Sequence, residues 1–247
     1  MDTRPDLPEP PALDAMLDER ALALFLDFDG TLVALAPGPD RIEPRADLAA
    51  RLSALSERLG GRCAVVSGRG IADIEKHVGP LAVAVAGSHG SDMRQAGGES
   101  LGDGPQDLPE AIERQMRDYA ADHGIDYEEK PHGGALHYRS KPEAGEGADA
   151  FAERLAGEHG WAAQGGKSVV EIVAASANKG AAVRAFMQEQ PFAGSLPVFV
   201  GDDLTDEAGF AACEELGGFG VLVGTRDGSA ARHGLRDVEA VHQWLGL

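Results

Sequence analysis

The chain predicts a doubly wound α/β core, a mostly parallel sheet with helices on both faces, interrupted by an α+β insert. Three observations lead there. Short runs that are apolar on both faces recur at 22–26, 63–66, 81–86, 197–200 and 219–223, which is how strands buried on both sides read. Segments with apolar residues at helical spacing stand between them, and strand–helix alternation marks a parallel sheet. Across 93–173 the alternation breaks down, and it then resumes, so the insert lies within the core in chain order.

Residues 1–20 are acidic and proline-rich and read as an N-terminal extension without fold signal. They lack the basic start and apolar centre of a signal peptide. The first strand runs through Leu22, Leu24, Phe25 and Leu26, delivers Asp27 and Asp29, and is stopped by Gly30 and Thr31. Pro44–Leu59 sets Leu48, Leu52, Leu55 and Leu59 on one helix face, and Gly60-Gly61 ends it. Cys63–Val66 is a buried strand, followed by Ser67-Gly68-Arg69-Gly70 and a helix over Ile71–Val78. Leu81–Ala86 is a third strand, closed by Gly87-Ser88-His89-Gly90.

A polar, glycine-rich join follows, and the insert reads as helix Leu108–His123, strands Ile125–Glu129 and Ala135–Arg139, helix Gly147–His159, and strands near Trp161 and over Lys167–Val173. The core returns with Asn178-Lys179-Gly180 opening a helix over Ala181–Gln188, the strand Pro197–Val200, the carboxylates Asp202, Asp203 and Asp206, a strand over Phe219–Val223 and a helix over Val238–Leu245.

At 247 residues, 43% hydrophobic and 26% charged, the chain can bury a large core and is not of the disordered class. No apolar run approaches the roughly 20 residues needed to cross a membrane, and a cytoplasmic protein is expected. The formal charge of −19 disfavours nucleic acid and anionic lipid as partners. Cys63 and Cys213 are the only cysteines and supply no disulfide or zinc framework; Cys63 reads as core.

Asp27 and Asp29 fall beyond the carboxyl end of the first strand, where sheets of this kind bind ligands. Two carboxylates so close resist joint ionisation unless a cation joins them. Mg²⁺ fits, since it takes oxygen ligands and is shared with substrate phosphate. One aspartate can then attack a phosphoryl group while the other protonates the leaving oxygen. An aspartate-rich turn has the same composition, so the pair alone leaves both readings open. Ser67 before Gly68 can close on a phosphate oxygen, though a plain turn reads the same way. Lys179 sits at a helix start, where the dipole already favours anions; it is a phosphate-binding candidate, with a solvated lysine as the alternative.

Together, Asp27/Asp29, Ser67, Lys179 and Asp202/Asp206, in that chain order, resemble the four motifs of the haloacid dehalogenase (HAD) superfamily in the two-aspartate form of its phosphatases. Val65-Val66-Ser67-Gly68-Arg69, Gly87-Ser88-His89-Gly90, Glu128-x-Lys130 with His137-Tyr138-Arg139, Gly166-Lys167-x-Val169-x-Glu171-Ile172, and Gly201-Asp202-Asp203-Leu204-Thr205-Asp206-Glu207 resemble the trehalose-6-phosphate phosphatase family. The resemblance spans 24–245. It departs at Val173-Ala174, where that family has a basic residue and proline.

The resemblance implies Asp27 as nucleophile and Mg²⁺ ligand, and Asp29 as general acid and then base with its backbone carbonyl on the metal. Asp202 becomes a ligand, Asp203 and Asp206 surround the metal, Ser67 and Lys179 hold the phosphoryl oxygens, and Gly68, Arg69, His89 and Gly90 contact substrate. It makes 21–92 with 174–247 the catalytic core and 93–173 a substrate-specificity cap closing over the site. Glu128, Lys130, His137, Arg139, Lys167 and Glu171 are then sugar contacts. Strand alternation independently puts Glu128 and Lys130 on one sheet face, where a solvated face is the alternative.

The expected activity is Mg²⁺-dependent hydrolysis of trehalose 6-phosphate to trehalose and phosphate through an aspartyl-phosphate, in trehalose biosynthesis. A small sugar phosphate is the expected partner, and a trehalose-phosphate synthase the candidate protein partner. Two alternatives stand: a related phosphatase acting on a sucrose or mannosyl phosphate, and a catalytically silent sensor that regulates a synthase. Intact Asp27, Asp29, Lys179 and Asp202 argue against silence.

Overall fold

The computed structural model describes residues 7–36, 41–102, 104–130, 132–166 and 168–247. They form two compact units, Met1–Gly102 with Asn178–Leu247, and Asp103–Ala177. The first unit begins with α1 (Leu13–Glu19), β1 (Leu22–Leu26), α2 (Leu48–Arg58), β2 (Cys63–Val66), α3 (Ile71–Val78), β3 (Ala84–Gly87) and β4 (Asp92–Arg94). The second unit holds α4 (Glu110–His123), β5 (Asp126–Lys130), β6 (Gly133–His137), α5 (Gly145–His159), β7 (Trp161–Gly166) and β8 (Val169–Ala174). The first unit resumes with α6 (Lys179–Met187), β9 (Leu196–Gly201), α7 (Glu207–Glu215), β10 (Phe219–Val223), β11 (His233–Leu235) and α8 (Val238–Leu245).

Among the described residues, the first unit's sheet has the order β11-β10-β9-β1-β2-β3-β4, parallel throughout except for the antiparallel edge strand β4. From β1 the chain winds outward through β2 and β3; from β9 it winds outward the other way through β10 and β11. The direction therefore switches between β1 and β9, the place where sheets of this kind bind ligands beyond the carboxyl ends of the strands.

Alternation along each strand feeds two cores. Leu22, Leu24, Leu26, Val65, Val85, Val198 and Val200 pack with residues of α1, α2, α3 and α8. On the opposite face Ala23, Ala64, Ala84 and Ala86 leave room for large rings, and Phe25, Phe186 and Phe192 fill it, with Phe25 and Phe192 stacked at 5.6 Å. Cys63 and Cys213 are both free and buried, one in each of these cores; burial pushes the Cys63 thiol up to about 12.

In the second unit an antiparallel sheet of order β5-β6-β8-β7 turns Leu136, Val170 and Ile172 toward Ile112, Met116, Ala148, Ala152 and Leu155 of α4 and α5. No described helix is long and apolar enough to cross a membrane.

Several elements differ from the sequence reading. Residues 1–20 were expected to carry no fold signal, yet α1 buries Leu13 and Met16, the Pro8 carbonyl accepts from the Gly234 amide, and the Trp244 indole donates to the Pro11 carbonyl. Its apolar pattern lasts only two turns and follows prolines, too short to stand out. Leu81 precedes β3, its amide drawn to Glu75 Oε1 at 3.1 Å. Strand β6 ends at His137, which leaves Arg139 exposed in the following turn. Ser168, with φ 65°, turns the chain between β7 and β8, so β8 starts at Val169. Val173 and Ala174 continue β8 as buried strand residues, where a proline would remove a backbone donor. α7 and β11 went unread.

Candidate active site

Asp27 and Asp202 each follow directly on a strand, β1 and β9, on either side of the switch point. Lys179, the first residue of α6, reaches both Asp27 Oδ1 and Asp206 Oδ1 at 2.6 Å. All three of these side chains are buried, Asp206 completely. Carboxylate oxygens of Asp27, Asp202 and Asp206 lie within 4.8 Å of one another. Two buried carboxylates thus share one ammonium, a third lies beside them, and the charges do not balance.

Burial, reinforced by the Asp206 charge, raises the Asp27 carboxyl well above its ordinary value. Burial and Asp206 likewise push Asp202 up to about 7. Desolvation works against the charge on Lys179, but Asp206 and Asp27 outweigh it and keep the ammonium protonated. Asp202 Oδ1 is buried with no protein partner, which is costly unless something polar completes it. An all-oxygen, acidic donor set with one unmet oxygen suits a hard divalent cation.

Local backbone makes this crowding possible. Gly30 has φ 83°, and a Cβ there would stand 2.2 Å from Asp202 Oδ2. Only glycine lets the loop after β1 lie under the Asp202 carboxylate. Asp206 Oδ2 accepts from the Asp203 amide at 2.8 Å, and Asp203 Oδ1 accepts from Leu204. Asp203 is therefore engaged in folding the turn that carries Asp202 and Asp206.

Asp29 points elsewhere. Its two oxygens accept from Arg69 Nε at 2.6 Å and Nη2 at 2.9 Å, and Arg69 Nη1 donates to Asp73 at 2.7 Å. Arg69, expected on substrate, is thus held in a two-carboxylate clamp. Ser67 is buried, its Oγ accepting from the Arg69 amide. Ser88 and His89 adopt left-handed φ of 48° and 58°, which costs energy for residues with a Cβ. The turn is laced to the Ser67 loop: the Ser88 amide donates to the Arg69 carbonyl and the His89 amide to the Ser67 carbonyl. The His89 ring packs on Gly68, where a Cβ would meet it at 2.7 Å, and Gly90 lies against the Asn178 carbonyl beside Lys179.

The second unit, taken by itself, has one polar sheet face. Glu128, Ala135, Glu171 and Gln164 stand in one cross-strand row, flanked by Lys130 and His137. Lys130 Nζ donates to Glu171 Oε1 at 2.6 Å, and His137 Nε2 pairs with Glu128 Oε2 at 2.7 Å. That hydrogen bond holds the Glu128 carboxyl below its ordinary value despite partial burial. Lys167 lies outside the described residues.

Sequence reasoning missed Gln164, Glu207 and Arg226. Gln164 could have been found by extending the alternation of β7 to the Glu171 row. Glu207 borders the last acidic motif and was quoted without a role. Arg226 Nη1 donates to the Asp202 carbonyl at 3.0 Å, and its other arm pairs with Glu207; nothing local in its glycine-flanked loop signals that contact.

A family model for trehalose-phosphatase matches residues 25–239. The trehalose-6-phosphate phosphatase of Escherichia coli (strain K12) is 37% identical over 233 residues, covering 91% of this chain and 85% of that protein. Among solved structures, the C-terminal domain of C. albicans trehalose-6-phosphate phosphatase superposes with a TM-score of 0.81 at 23% identity, covering all of both chains. A haloacid dehalogenase-like hydrolase from B. subtilis has a TM-score of 0.66 at 15% identity, over 92% of this chain and 99% of that one; these two likenesses concern the fold. With its acidic cluster at the switch point and a family match spanning nearly its whole length, the chain belongs to the trehalose-phosphatase family.

Proposed function

We propose that this protein hydrolyses trehalose 6-phosphate to trehalose and phosphate, with Mg²⁺ held by Asp27, Asp202 and Asp206 and with Asp27 as the nucleophile. The observation that carries the reading is the buried Asp27–Lys179–Asp206 array beside the unmet oxygen of Asp202. When bound, Mg²⁺ offsets the carboxylate charge and polarises the phosphoryl group.

The chain's own residues do the rest. Lys179 fixes one Asp27 oxygen and leaves the other to attack phosphorus, forming an aspartyl-phosphate as the sugar oxygen departs. Lys179 and Ser67 stabilise the charge spread over the transferring oxygens. Asp29 protonates the leaving oxygen and then takes a proton from the water that cleaves the intermediate. Because Arg69 occupies both Asp29 oxygens, Asp29 has to exchange that guanidinium for the leaving group. The polar face bearing Glu128, Lys130, His137 and Glu171 reads the sugar, its ion pairs opening to sugar hydroxyls.

The test is phosphate release from trehalose, sucrose, glucose and mannose phosphates, with EDTA and after adding back Mg²⁺ or Ca²⁺. Release from trehalose 6-phosphate well above the others, abolished by EDTA and restored by Mg²⁺ alone, is expected, because Ca²⁺ takes looser, higher coordination. Full activity in EDTA removes the metal from the mechanism, and a better sucrose or mannose substrate reassigns the sugar.

A further inference from the structure

We infer that Arg226, braced by Glu207, is a positioning residue that fixes Asp202 for the divalent cation and sets how tightly the ion binds; this rests on the reading of Asp27, Asp202 and Asp206 as the metal ligands. Asp202 is the first residue beyond β9, and its carboxylate is in an unusual position. Oδ1 has no protein partner, and Oδ2 lies over Gly30 where a Cβ would intrude. A ligand with one buried oxygen unheld keeps its aim through its main chain.

Arg226 holds that main chain. Its Nη1 donates to the Asp202 carbonyl at 3.0 Å, while Nη2 pairs with Glu207 Oε1. The other oxygen of Glu207 accepts from the Ala230 amide at 2.7 Å. One glutamate thus ties the loop after β10 at two points, Arg226 and Ala230, and the arginine fork ties that loop to the ligand-bearing turn. Glu207 is also the first residue of α7, directly after Asp206, so Asp202 and Asp206 share the brace.

A planar guanidinium can serve two acceptors in fixed geometry, which a lysine ammonium on a flexible stem cannot do as rigidly. Glu207 neutralises Arg226, so the arginine acts on Asp202 by geometry more than by adding cationic charge to the site. Partners of this outer kind change metal affinity by roughly 10–100-fold when removed.

The experiment titrates metal-free protein with Mn²⁺ as a stand-in, following loss of the free-ion electron paramagnetic resonance signal, for wild type, Asp202→Asn, Arg226→Gln, Arg226→Lys and Glu207→Gln. Thermal unfolding in EDTA is recorded alongside to register any loss of fold. Wild type should bind, Asp202→Asn should not, and Arg226→Gln should bind about ten-fold more weakly with its EDTA melting curve close to wild type. Arg226→Lys should fall between, a partial rescue that a purely structural role does not require. If Arg226→Gln does not unfold cooperatively, Glu207→Gln carries the test, with weaker binding expected and wild-type affinity contradicting the inference. Should wild type itself fail to bind Mn²⁺, the metal reading falls and the inference with it. Wild-type binding that Arg226→Gln and Glu207→Gln both retain undiminished overturns the inference alone.

Discussion

The two polar constellations of this molecule differ in how they settle their charges. In the first unit Asp27 and Asp206 share Lys179 in a buried setting, and the partly buried Asp202 beside them leaves the cluster short of positive charge. In the second unit Lys130 forms an ion pair with Glu171, and His137 hydrogen-bonds Glu128, on a partly exposed face. A largely buried and unbalanced cluster suits an ion and chemistry, because its field is strong and its groups cannot relax into water. The partly exposed face suits recognition, since its hydrogen bonds can be exchanged for ones to sugar hydroxyls.

The comparison breaks most visibly at the nucleophile. Asp27→Asn keeps the shape of the side chain but cannot attack phosphorus, so phosphate release should fall by about three orders of magnitude or more. Release near the wild-type rate would remove Asp27 from that role. Next in size is the contrast between the two lysines. Lys179→Met leaves Asp27 and Asp206 buried without their cation and should cost about 3–5 kcal/mol in metal-free protein, whereas Lys130→Met, which leaves one partly buried carboxylate without its partner, should cost about 1–2 kcal/mol. Urea unfolding of both variants reads this directly, and equal losses would erase the distinction between the sites.

A smaller effect separates recognition from chemistry. Glu171→Gln should lower kcat/KM for trehalose 6-phosphate by roughly 10-fold or more, since a sugar hydroxyl loses a charged acceptor worth on the order of 1–3 kcal/mol. A small aryl phosphate should be turned over almost as before, and parallel losses on both substrates would assign Glu171 to the fold. The smallest expected effect is on stability against pH. The His137 hydrogen bond holds Glu128 below its ordinary value of 4.5. Its contribution is therefore present above that value and is lost as pH falls through the lower folded-state value. The Tm difference between wild type and Glu128→Gln should shrink as pH falls below about 4.5, by a few degrees at most for a partly exposed pair.

Much of this was legible in the sequence wherever periodicity or strand-end chemistry is local. The five core runs are apolar on both faces; β1, β2, β9 and β10 follow them closely, while β3 starts three residues into its run. Asp27 and Asp202 could be placed at strand ends because strands buried on both sides stop visibly at carboxylates. Long-range pairing was not legible. Arg69 was expected to face substrate, and nothing in its neighbourhood announces that Asp29, remote in sequence, occupies its fork. Arg226 lies in an aperiodic loop whose contact with Asp202 exists only after β9 and β10 pair. α1 was missed for a different reason, since seven residues between prolines and β1 give too few turns for an amphipathic pattern.

The central claim, that Asp27 carries the phosphoryl group in turn, is tested most directly by catching that group on the chain. Asp29→Asn lacks the base for the second step, and an aryl phosphate has a leaving group good enough to need no acid in the first. Acid quench of that variant with Mg²⁺ and the aryl phosphate, followed by peptide mass spectrometry, should find one phosphoryl group on Asp27, removable by hydroxylamine. Phosphate released with no such adduct, or an adduct on another residue, would contradict the account.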